Sequence, residues 1–80
     1  MVGELHRSYV FDLGYLLREH ALEAKQAVRG AKGTDDEAFQ SGRLMAYYEV
    51  LSLLVSQARA FELPIEDLHL CGLELDRDLL

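Results

Sequence analysis

Eighty residues make one small domain, which hides little more than half of the surface its unfolded chain exposes and is marginal by itself. The single cysteine, Cys71, excludes an internal disulfide and a multi-cysteine zinc site, leaving oligomerisation as the usual remaining source of extra stability. Fourteen acidic against eight basic side chains give a net charge of −6, and no cluster of Lys and Arg offers the phosphate neutralisation that nucleic-acid binding requires.

The start, Met1-Val2-Gly3-Glu4, lacks the basic residues and apolar run of a signal peptide. No apolar stretch approaches the roughly 20 residues of a membrane span. With a lone thiol suited to a reducing compartment, the expected location is cytoplasmic, with no membrane partner.

In chain order, the first element is a helix over about residues 5–29. Tyr9, Val10, Leu13, Leu16, Leu17, His20, Ala21, Ala24, Ala27 and Val28 recur at spacings of three and four, one face of a helix. Phe11, Tyr15 and Leu22 form a second apolar stripe on it. Lys25 and Arg29 suit the negative end of the helix dipole, and Gly30 suits the position after it. Gly30-Ala31-Lys32-Gly33 then reads as a tight connection; it lacks the Lys-Ser/Thr ending of a phosphate loop.

Thr34-Asp35-Asp36-Glu37 matches a capping box: the Thr hydroxyl would cover an N–H three residues on, and Glu37 would reach back to the cap. A second helix is expected over about 35–62, ending ahead of Pro64 because a residue before proline avoids helical geometry. So short a connection lays the two helices side by side and antiparallel. A short third helix over about 64–70 begins at Pro64 and ends by Gly72. Residues 73–80 form an acidic tail without strong periodicity. Residues 1–61 hold 8 acidic and 7 basic side chains, whereas 62–80 hold 6 acidic ones and only Arg77.

Helix 2 carries more apolar surface than one partner helix can cover. Phe39, Ala46, Val50, Phe61, Leu54, Tyr47, Ala58, Leu51, Leu44, Val55 and Tyr48 span an arc of roughly 200°, where packing on one neighbour needs about 100°. Soluble monomers avoid leaving such a patch bare. Leu68, Leu70, Leu73 and Leu75 can cover part, with the Phe11 stripe as candidate. For the rest, a second copy is the simplest cover. The expected fold is therefore all-α, an antiparallel hairpin with a short C-terminal helix and tail in one domain, dimerising into a four-helix bundle. Candidate interface residues are Phe39, Ala46, Tyr47, Val50, Leu51, Leu54 and Ala58. Gly14 and Gly42 each cost a helix about 1 kcal/mol relative to Ala; close helix approach and plain tolerance both explain them.

Chemical signals are weak. His6 and His20 fall on the apolar face of helix 1, where ordinary core-edge histidines are the simpler account; the Glu-x-x-His motif of di-iron bundles is absent. His69-x-Cys71 supplies two potential zinc ligands where four are needed, and Cys71 reads as a half-buried turn residue. Tyr47 and Tyr48 point about 100° apart and cannot share a site. Glu49 is either solvated or paired with Arg43 or with an arginine across a dimer.

No cofactor and no catalytic residue is expected. The chain reads as a non-enzymatic, protein-binding homodimer with a regulatory, adaptor or scaffold role. Leu73, Glu74, Leu75, Asp76 and Asp78 either contact a partner or complete the core. One alternative is an acidic, immunity- or antitoxin-like neutraliser of a basic protein, since opposite charge speeds association. Another is a metal-binding bundle using His20 and Glu49.

Overall fold

The computed structural model of the protein describes residues 2–80 and contains, among them, helices and turns but no strand. Helix α1 runs Val2–Ala31 and α2 runs Glu37–Ala60; a single 3₁₀ turn, Ile65–Leu68, and a five-residue α3, Leu75–Leu79, follow. A helix of 30 residues rises about 45 Å, which accounts for most of the molecule's 49 Å length.

The turn between α1 and α2 uses the expected residues one step out of register. Gly30 stays helical, α1 runs on to Ala31, and the chain turns at Gly33, whose φ of +82° is the left-handed conformation glycine adopts freely. The Thr34 hydroxyl donates back to the Ala31 carbonyl and accepts from the Asp36 N–H at 3.3 Å, two residues on rather than three. Glu37 Oε1 accepts from the Gly33 N–H at 3.0 Å, one residue before Thr34. The capping residues thus tie the two helix ends together, and α2 starts at Glu37.

Helix α2 ends in a Schellman motif: the Leu63 N–H donates to Ala58 O (2.7 Å) and the Glu62 N–H to Arg59 O (3.1 Å). The left-handed residue this motif requires is Glu62, at φ 58°, where glycine is the unstrained choice.

Between the helices lies the core. Leu44, Leu51 and Ala58 of α2 are buried and recur every seven residues, a period that keeps one helix turned toward another. They meet Ala21 and Ala24 of α1, both fully buried, so small side chains face large ones across the seam. Burying each such leucine contributes about 1.5–3 kcal/mol.

The C-terminal segment departs from expectation. Its third element is one 3₁₀ turn, with Pro64 just ahead of it in extended geometry and His69 stopping it in the left-handed conformation. Residues 73–80 are no loose tail: they turn at Gly72 (φ +85°), form α3, and seat Leu79 fully buried in the core beside Leu68 and Leu70. Spaced leucines without a long period were enough, because a five-residue helix needs only one buried anchor. Gly14 marks where the 3₁₀ turn crosses α1; a methyl group there would fall inside the Leu68 carbonyl. Gly42 faces open space.

Candidate interaction face

The hairpin has two broad sides, and only one of them is covered. On the covered side, the His69 ring packs on Phe11 and Tyr15 with centroids 4.4 and 5.1 Å apart. The second stripe of α1 is thus met by the C-terminal segment, by a histidine rather than a leucine, with Phe11 and Tyr15 still keeping 42% and 40% of their surface. Arg18 Nη1 donates to the His69 and Cys71 carbonyls, both at 3.3 Å, and Lys25 Nζ to the Leu80 main-chain oxygen at 2.8 Å. From α2, the Tyr48 hydroxyl donates to Asp76 at 2.5 Å, a bond that raises the tyrosine above its ordinary range. Arg77 and the Glu74 N–H both bond the Asp78 carboxylate and hold its pKa at about 2.

The opposite side is bare. On α1, Leu5, Tyr9, Leu13 and Leu16 are exposed; on α2, Phe39, Val50 and Leu53, with Phe61 at its end, are exposed too. Leu5 and Phe61 keep 71% and 72% of their surface, values unusual for large apolar side chains in a folded chain. On each helix these positions lie to the same rotational side of the seam, from about 50° away at Leu13 to about 160° at Leu53. Because the helices run antiparallel, both stripes fall on one face of the hairpin.

One contact fixes that alignment. His20 of α1 stacks on Tyr47 of α2, centroids 6.1 Å apart and planes 20° off parallel, with the Arg43 guanidinium 5.7 Å over the same ring. This sets Leu16 and Leu13 level with Leu51 and Leu54, so the apolar side chains gather toward the open end of the hairpin.

The chain exposes 5691 Å², whereas a folded monomer of its 9.1 kDa typically exposes about 4,900 Å². The excess of about 800 Å² goes with the elongated 49 × 21 × 17 Å shape, which exposes more surface than a compact monomer of the same mass.

The seven interface candidates separate. Leu51 and Ala58 are buried within the chain itself, in the seam with α1, and cannot meet a second protein. Part of the apolar arc of α2 faces α1 and part stays exposed, and a wheel diagram does not say which. Phe39, Ala46 and Val50 are exposed on the bare side, with Tyr47 and Leu54 half-buried at its margin. Leu5, Tyr9, Leu13, Leu16 and Leu53 belong to the same face but are absent from the interface set read from the sequence. Their spacing was visible in α1, yet it looked like the seam.

Of the tail candidates, Leu73 and Leu75 pack against the core, Asp76 and Asp78 are bonded internally, and only Glu74 among them is exposed without such a role.

Chemistry-bearing residues are dispersed. His6 is exposed, as is Cys71, which is not the half-buried residue its neighbours suggested. His20 is exposed and stacked rather than set at a core edge. Arg43 lies over Tyr47 and not on Glu49; among the described residues the one ion pair is Arg77–Asp78. No three His, Cys, Asp or Glu side chains among the described residues come together as a metal site. No helix among them is long and apolar enough to cross a membrane.

Comparison with protein-family models, with curated proteins and with solved structures gives no significant match. The bare face therefore has to be read from its own physics.

Proposed function

We propose that this protein is a non-enzymatic helical interaction module that works as a homodimer, its bare hairpin face forming the contact and the two hairpins making a four-helix bundle. The observation that carries this reading is the asymmetry of the hairpin: residues 62–80 cover one side, and the other leaves Leu5, Tyr9, Leu13, Leu16, Val50, Leu53 and Phe61 in water. A regulatory, adaptor or scaffold role follows from such a build, since the covered side remains outermost for a further protein partner.

Two other readings draw less support. A neutraliser of a basic protein would use the acidic tail, but Asp76 and Asp78 are already engaged within the chain. A metal-binding bundle would use His20 and Glu49, but the imidazole of His20 is stacked on Tyr47 and no three potential ligands come together among the described residues.

The test is the solution mass by light scattering over a range of dilution. Two chains per particle, falling to one in Val50→Asp with helicity retained, is the expected result. A well-folded monomer at all concentrations overturns the homodimer.

A further inference from the structure

Building on the homodimer reading, we infer that the occupant of the bare face is a second copy lying in the same direction, with both α1–α2 loops at one end and the two-fold axis parallel to the helices. Three observations lead there.

The first is charge. A chain of net charge −6 repels its own copy unless the acidic groups stay apart. Here residues 62–80 carry six acidic side chains and one basic, and they occupy the covered side. Residues 1–61, which supply both helices, are nearly balanced at eight acidic and seven basic. Joining the bare faces places the acidic segments on opposite outer surfaces.

The second is the gradient along the face. Leu5, Tyr9, Leu13, Val50, Leu53 and Phe61 lie in the open half, whereas His20, Glu23, Arg43 and a single large apolar side chain, Phe39, lie nearer the loop. Two copies running the same way set apolar half on apolar half and polar on polar. Two copies opposed and fully overlapped press the Arg43 end of one face onto the leucines of the other, desolvating charge against hydrocarbon. Opposed copies overlapping only at their open halves avoid this, but they leave Phe39 and the loop half bare.

The third is a specific complementarity. With His20 level with Tyr47, Arg43 stands level with the stretch of α1 that contains Glu23. In a same-direction bundle each α2 lies beside α1 of the other copy. Arg43 then meets the partner subunit's Glu23 at the rim, twice per dimer. Neither residue has an ion-pair partner among the described residues of its own chain.

Two measurements test the arrangement. In a Cys71→Ser background, Lys32→Cys in the loop carries a nitroxide label, and the label-to-label distance is read by pulsed dipolar spectroscopy. The same-direction dimer gives a distance of about 20–30 Å, the width of a bundle whose neighbouring axes are about 10 Å apart. A distance approaching or exceeding the 49 Å length of one chain overturns the arrangement while leaving the dimer intact. A light-scattering mass of one chain overturns the dimer itself, so the two failures are distinct. Second, Arg43→Glu should weaken association about fivefold to tenfold through two like-charge contacts, and Glu23→Arg added to it should restore it. Absence of that rescue in a dimer that still forms removes the Arg43–Glu23 pairing and with it the register.

Discussion

The two sides of the hairpin are made from similar side chains and end in opposite states. On one, Phe11 and Tyr15 are met by His69, and Leu68, Leu70 and Leu79 sink into the core. On the other, Leu5, Tyr9, Leu16 and Leu53 stay exposed. The difference teaches that exposed apolar surface here is not a sign of poor packing. The chain has a segment able to cover a helix face, and its leucine spacing sends that segment to one side only.

The sharpest way to break this comparison uses two leucines two positions apart on α2. Leu51 is fully buried and Leu53 keeps 63% of its surface. Leu51→Ala should cost about 2–5 kcal/mol of stability, as a cavity in the seam does, measured by chemical denaturation of dilute protein. Leu53→Ala should change the stability of the single chain by less than about 0.5 kcal/mol while weakening self-association. Equal losses for both would show that Leu53 is covered within its own chain.

Next comes the crossing point on the covered side. Gly14→Ala forces the Leu68 backbone away from α1 and should destabilise by about 1–3 kcal/mol. Gly42→Ala, with open space above it, should stabilise by about 1 kcal/mol. Thermal midpoints moving in opposite directions for the same chemical change would confirm which glycine is there for close approach.

A smaller gain is expected at the end of α2. Glu62 holds a left-handed conformation that glycine adopts without strain, so Glu62→Gly should raise stability by about 0.5–1 kcal/mol. A loss would mean that the side chain of Glu62 does something beyond closing the helix.

The least effect on global stability should come from pH, through the exposed clasps of α3. The Arg77 guanidinium, and then the Glu74 N–H, hold Asp78 at about 2 against an ordinary 3.8. The folded carboxyl is the stronger acid, so its contribution is complete above the ordinary value and is lost as pH falls through about 2. Tyr48 is shifted the other way, above 10.0, by its bond to Asp76. That contribution is complete below 10.0 and is lost as pH rises through the raised value. Side-chain and amide NMR signals of α3 should therefore move at both extremes while those of the α1–α2 seam stay fixed.

Much of the fold could be read from the chain. The capping residues Thr34 and Glu37 announced a second helix, and the three- and four-residue spacing from Tyr9 to Val28 announced the first. Both signals are local: a cap is satisfied within a few residues, and periodicity reports one helix at a time. The boundaries slipped by two or three residues because Gly30 continues the helix and Thr34 bonds backward to Ala31. The surplus of apolar surface on α2 was also visible, since an arc twice as wide as one neighbour needs is a property of the helix alone.

What the sequence by itself determined, then, is the two long helices, the antiparallel turn, and an apolar arc on α2 wider than one neighbouring helix covers. Tertiary structure alone decided how the cover is shared. It assigned Leu51 and Ala58 to the seam, gave α3 to residues that lack a helical period, and left the N-terminal leucines of α1 bare. The reason is physical. Periodicity tells which residues lie on a helix face but not the rotation of that face against its neighbour. That rotation is set by contacts between residues far apart in the chain, such as His20 with Tyr47 and Gly14 with Leu68.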